Sequence, residues 1–308
     1  MNHSKQEKGE LTYGQNHLSD TYINFLKSSL LNQIYIEAEA KLIYTFGSML
    51  NKQDLAFNDF FGKPSVKMPH IWNIVKSVKL NGEGVRLYEN DSKRYASELR
   101  NITELSHTMV GEKRLDNIRL CIETVLQENV KGDFVETGIW RGGACIFMRG
   151  ILKAYDVKDR IVWAADSFDG VPAPSLPQDT DFDISKSKLP VLAVPIEEVK
   201  ELFQRYGLLD KQVQFLEGWF KDTLEHAPID KISMLRLDGD LYESTMDALN
   251  PLYEKVQRGG FVIVDDYESC PPCKAAVNDF RKQHNIDDPL VVIDPWSVYW
   301  RKTQNISN

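Results

Sequence analysis

The stretch 234–268, "MLRLDGDLYESTMDALNPLYEKVQRGGFVIVDDYE", decides how the rest of the chain is read. Two apolar runs, "ISMLRL" (232–237) and "GFVIV" (260–264), each stop abruptly at acids. Asp238 and Asp240 follow the first, Asp265 and Asp266 the second. A helical pattern over 245–257 separates them. Apolar run, helix and apolar run is the signature of a parallel βαβ unit, with strands buried on both faces and adjacent in the sheet. Ligands of an open α/β sheet gather outside the C-terminal ends of its strands. Four carboxylates at two adjacent ends therefore share one crevice, where solvent, a ligand hydroxyl or a hard divalent cation can satisfy them. A single strand-end acid is an ordinary cap; acids at two consecutive ends favour a metal.

The same alternation extends on both sides. "DFVETG" (133–138), "RIVWAAD" (160–166), "VQFLEG" (213–218) and "LVVID" (290–294) are further short apolar runs, with helical patterns at 143–154, 196–206, 221–227 and 273–284. This predicts one doubly wound α/β domain. "SVYWRK" (297–302) follows the sixth strand too closely for a crossover, so it fits an antiparallel hairpin partner. "LDNIRLCIETVLQENV" (115–130) reads as an amphipathic helix leading in, and "TYINFLKSSLLNQIY" has Tyr22, Phe25, Leu26, Leu30 and Ile34 at helical spacing. Residues 1–18 have few apolar anchors and are expected to be disordered. The expected organisation is a helical extension over 19–110, acting as lid and oligomer contact, then the enzyme domain over 111–304.

A formal charge of −8 with no basic patch excludes a nucleic-acid backbone as a natural partner. No apolar stretch reaches the roughly 20 residues that span a bilayer. The first 20 residues also lack a secretory hydrophobic segment. Four cysteines in 308 residues suggest reduced thiols and a cytoplasmic setting. "CPPC" (270–273) superficially resembles a redox pair, but its prolines read better as the start of the helix "KAAVNDFRKQH".

The first strand runs into "VETGIWRGGAC" (135–145), an acid followed by a glycine-rich turn and a helix start. Such a turn lets backbone approach a ligand closely and offers N–H groups to an anion. Asp166 in "ADSF", about 30 residues on, sits where an acid can accept both ribose hydroxyls of an adenosine group. The Pro- and acid-rich segment 172–190 reads as a solvated loop or an active-site lid.

In these motifs the chain resembles the macrocin O-methyltransferase family. Its members are class I S-adenosylmethionine enzymes that methylate sugar hydroxyls in antibiotic biosynthesis. The likeness runs through "SHTMVGEKRLDNIRLCIETVL", "GDFVETGIWRGGACIFMRGIL", "ADSFDGVP", the opening stretch and "KAAVNDFR". The resemblance implies a Rossmann-like, doubly wound seven-stranded methyltransferase sheet with the last strand antiparallel, and a magnesium or other divalent ion beside the cofactor. Carried over, Glu136, Thr137 and Gly138 line the methionine side, with Trp140 and Arg141 in the same turn. Asp166 and Ser167 hold the ribose, Gly218 and Trp219 border the adenine, and Thr108 and Met109 pack on the methionine portion. Asp238, Asp265 and Asp266 match the metal ligands, leaving Asp240 as candidate base. Tyr35 and Glu37 resemble the segment closing over the sugar; residues 52–105 match no motif.

Chemically, the acceptor hydroxyl must be aligned with an already activated sulfonium methyl and lose its proton. Asp240, two residues past Asp238, projects on the same side if the segment is extended; His107 is the rival base. The expected acceptor is a glycosylated or otherwise diol-bearing small molecule, and the expected assembly a homodimer or larger. Two other readings are a metal-dependent glycosyltransferase using "DGD" and a catalytically silent scaffold.

Overall fold

The computed structural model describes residues 17–35, 38–39 and 105–304; Glu37 and the stretch 52–105, apart from Leu105, lie outside them. In chain order the main elements are α1 (His17–Leu30), α2 (Glu112–Gln127), β1 (Asp133–Thr137), α3 (Gly143–Ala154), β2 (Val162–Asp166) and α4 (Ile196–Arg205). They continue with β3 (Val213–Glu217), α5 (Phe220–Thr223), β4 (Ile232–Leu237), α6 (Tyr242–Leu252), β5 (Val256–Val264), α7 (Pro271–Gln283), β6 (Val291–Val292) and β7 (Val298–Arg301). The strands form one sheet in the order β3-β2-β1-β4-β5-β7-β6. β1 to β5 are parallel, and β7 lies antiparallel between β5 and β6. This is the doubly wound domain that the pattern predicts, with the seven strands that the family resemblance implies.

Alternate residues of each inner strand feed two separate cores, as the period of 2 requires. Phe134, Val162, Ala164, Phe261 and Ile263 pack with helices α1 to α4 on one face. Val135, Trp163, Ala165, Val262 and Val264 pack with α6 and α7 on the other. Helix α1 belongs to the first core through Ile23, Leu26 and Leu30, and Ser19 donates to the Ala154 carbonyl at the end of α3.

The sheet register positions the site. Thr137 pairs with Leu237, and Leu237 with Val264. The next residues, Gly138, Asp238 and Asp265, thus emerge side by side on one rim. Gly138 has φ +82°, and a Cβ there would lie 1.8 Å from the Asp238 carbonyl oxygen. Only glycine permits β1 and β4 to run this close at their ends.

Helix α6 begins three residues earlier than its pattern suggests. Its own first turn supplies no side-chain cap; instead Asp179, fully buried in the 172–190 loop, accepts from the Tyr242 and Glu243 amides at 2.6 and 3.1 Å. That loop is therefore pinned to the domain, not merely solvated. Asp179→Ala is expected to cost about 0.5–2 kcal/mol, the usual worth of a helix cap, read as a lower denaturation midpoint in urea.

Candidate active site

The strand order reverses between β1 and β4, and a cavity of about 270 Å³ opens beyond the C-terminal ends there. Gly138 and Trp140 line it from the first turn, Asp166 and Ser167 from the end of β2, and Asp238, Gly239 and Asp240 from the end of β4. Met109 and Trp219 complete the sequence-predicted lining.

The remaining expected residues stand elsewhere. Glu136 and Thr137 are buried within β1 and do not line the cavity. Thr108 is buried against Gly143. Arg141 donates to the Ser106 carbonyl at 2.9 Å and stacks on Trp140, 4.5 Å from the ring centroid. Gly218, at φ +134°, turns the chain so that Trp219 meets the cavity. Tyr35 is 69% exposed and does not line the cavity. His107 is also outside the lining, with Nδ1 2.8 Å from the Tyr206 hydroxyl.

Asp166 has a second task that the sequence did not suggest. Its carboxylate accepts from the amides of Ile139 (2.7 Å), Trp140 (3.4 Å) and Phe168 (2.7 Å). It thereby ties the glycine turn after β1 to the end of β2. Burial raises its carboxyl, opposed by those amides.

The segment after β4 differs from the extended geometry expected of "DGD". Asp240 is left-handed at φ +59°, and the Leu241 amide donates back to the Gly239 carbonyl at 2.6 Å. A turn, and not strand alternation, therefore delivers Asp240 to the cavity. Its carboxyl is pushed up to about 7, first by burial and then by the charge of Asp238.

At the centre is a residue the sequence reading passed over. Arg236, the penultimate residue of β4, is fully buried. One guanidinium nitrogen donates to Glu136 and, at 2.7 Å, to Asp238; another donates to Asp265. Arg114 on α2 donates to the second Asp265 oxygen and, at 2.7 Å, to Asp294. The signal was a cation inside a strand otherwise buried throughout, where an unpaired charge is not tolerated. Oxygens of Asp238, Asp265 and Asp266 lie within 4.8 Å of one another. Asp266 Oδ2 is shut off from solvent and accepts no hydrogen bond. Burial, then the charges of Asp240, Asp238 and Asp265, raise the Asp266 carboxyl well above the ordinary range.

Glu136 also accepts from the Cys145 thiol at 2.8 Å. Burial lifts its carboxyl to about 7 against the pull of Arg236, whose charge Asp238 and Asp265 also share. Between about pH 4.5 and about pH 7 the folded protein keeps this proton while the unfolded chain releases it. The Glu136 contribution is therefore full below that window and lost as pH rises through it. Unfolding free energies of wild type and Glu136→Gln should diverge across the window, wild type losing more stability as pH rises; parallel profiles would contradict this assignment.

Strand order, antiparallel β7 and an acid-walled cavity at the switch point define a Rossmann-like methyltransferase. The family profile of Macrocin-O-methyltransferase (TylF) matches residues 19–302, and the chain belongs to that family. It is 58% identical over 203 residues to the demethyldecarbamoylnovobiocin O-methyltransferase of Streptomyces niveus, covering 65% of this chain and 77% of that one. It is 50% identical over 203 residues to the mycinamicin III 3''-O-methyltransferase of Micromonospora griseorubida, covering 65% and 80%. The solved structure of the O-methyltransferase NovP superposes with TM-score 0.72 at 43% identity, over 93% of this chain and all of that one. Family membership sets aside the glycosyltransferase reading of "DGD".

Proposed function

We propose that the protein transfers the methyl group of S-adenosylmethionine to a hydroxyl of a sugar carried by an antibiotic-like natural product. One observation supports this reading: a single cavity is lined both by Asp166, the proposed ribose acceptor, and by the Asp238–Asp240 turn. The relatives named above act, by their names, on demethyldecarbamoylnovobiocin and mycinamicin III, which supports an antibiotic-like acceptor. Asp166 and Ser167 bind the ribose, Trp219 flanks the adenine, and Met109 and the Gly138 turn border the methionine portion. Asp240 receives the proton of the attacking hydroxyl as its oxygen displaces the sulfonium sulfur in line, so the C–S bond breaks as the O–C bond forms and S-adenosylhomocysteine leaves. Trp140, Val171, Pro172, Leu192 and Phe220 give the cavity apolar lining, which restricts water.

A divalent cation fits the remaining acids. Asp238, Asp265 and Asp266 form a cluster of hard oxygen donors, and the partnerless Asp266 oxygen is the kind of atom a cation satisfies. When bound, magnesium would act as a Lewis acid, lowering the pKa of a coordinated diol hydroxyl. Arg236 and Arg114 hold Asp265 rigidly for that role. Tyr35 and Glu37 are proposed to close over the sugar, and the 19–110 extension to join copies of the chain in a homodimer or larger assembly. Among the described residues no helix is long and apolar enough to cross a membrane, and we place the enzyme in the cytoplasm.

The test is incubation with methyl-labelled S-adenosylmethionine, magnesium and demethylated glycosides with a free vicinal diol. Label in the sugar that disappears when the metal is chelated supports the reading. Transfer undiminished by chelation would remove the metal. Failure with every glycoside, alongside transfer to a non-sugar diol, would move the acceptor class.

A further inference from the structure

The "CPPC" segment lies beside the acidic cluster and is not used by methyl transfer. Cys270 caps α7, ahead of Pro271 and Pro272, and its amide donates to the Asp266 carbonyl at 3.0 Å. The backbone therefore fixes the thiol, which is 5% exposed, against the site. Its Sγ lies 3.5 Å from Asp240 Oδ1. Ligand atoms of Asp240, Asp266 and Cys270 all fall within 4.8 Å of one another. Asp266 Oδ2, closed to solvent, has no donor facing it.

We propose that Asp240, Asp266 and Cys270 form a second cation site, selective for thiophilic divalent ions such as Zn2+ or Cd2+ and sharing Asp266 with the oxygen-only cluster. A tetrahedral zinc with Zn–S near 2.3 Å and Zn–O near 2.0 Å holds its sulfur and oxygen roughly 3.5 Å apart. The Cys270–Asp240 separation already has that value. Three protein donors leave a fourth position for water, as in open zinc sites. Thiolate ligation favours zinc and cadmium, whereas magnesium requires an all-oxygen shell. On binding, the Cys270 S–H bond gives way to an S–metal bond and the proton leaves to solvent; nothing is oxidised or reduced. The N-terminus of α7 stabilises the resulting thiolate. A redox role for the pair is less apt: burial and the carboxylates of Asp266 and Asp240 push both thiols up, disfavouring the thiolate that exchange requires. Those same carboxylates attract a cation. Occupancy would take Asp240 out of play, making zinc an inhibitor of the proposed transfer. The binding itself does not depend on that transfer.

The experiment is a Cd2+ titration of the full chain in thiol-free buffer, followed by the ultraviolet thiolate-to-cadmium charge-transfer band. Wild type should develop the band and saturate at one ion per chain. Cys270→Ser should lose it, and Cys273→Ser should keep it. If Cys270→Ser fails to fold, Asp240→Asn decides, with an expected loss of Cd2+ affinity of at least about tenfold. No band in wild type, a band surviving Cys270→Ser, equal loss in Cys273→Ser, or undiminished affinity in Asp240→Asn would each overturn the site.

Discussion

Replacing Arg236 by methionine is expected to destabilise the fold by about 3–5 kcal/mol, the cost of leaving buried charge without its partner. Glu136, Asp238 and Asp265 all take hydrogen bonds from this one guanidinium. Methionine fills a similar volume, so packing loss is a minor part of the effect. A domain is commonly stable by only about 5–15 kcal/mol, so the variant should denature at much lower urea. Adding Asp238→Asn should recover part of the loss, since one of the acids left without Arg236 then carries no charge. Arg236→Lys should fall between, because an ammonium cannot present a fork to three carboxylates. A methionine variant with wild-type stability would show that the acids are already neutral in the folded protein.

The second large effect is on turnover. Asp240→Asn should lower kcat by about 10²–10⁴, the range supplied by a positioned general base, while S-adenosylmethionine still binds. Asparagine is the clean substitution because Asp240 sits at φ +59°, a conformation that asparagine adopts with little strain. It keeps the turn and removes only the ability to take a proton. His107→Gln is the matching control, since His107 faces Tyr206 and does not line the cavity. Retained turnover in Asp240→Asn, or a comparable collapse in the control, would transfer the role of base elsewhere.

The sheet was legible because each strand is a short apolar run closed by glycine or acid, and each helix repeats near 3.6 residues. The hairpin of β6 and β7 followed from the shortness of its connection. Departures occur where a distant residue decides. β5 starts at Val256, four residues before the apolar run, since Val256 pairs with Ile232 across a register shift. Helix α6 starts early because Asp179, more than 60 residues upstream, caps it. The acids at the strand ends could be read directly, since their positions follow from the strands themselves. Their counter-charges could not: Arg114 lies 151 residues from Asp265 and meets it only through the packing of α2 on the sheet. Arg236 could have been found as a charge within a strand buried throughout. The left-handed Asp240 was hidden because "DGD" is equally compatible with an extended chain and a turn.

The most direct measurement is calorimetric titration of the full chain with S-adenosylmethionine, using wild type and Asp166→Ala. Asp166 both lines the cavity and braces the turn that carries Gly138 and Trp140 into its lining, so its loss should be felt twice. One molecule bound per wild-type chain in the micromolar range, abolished in Asp166→Ala, is the expected result. A wild-type protein that takes up no S-adenosylmethionine, with or without magnesium, would contradict the account at its centre.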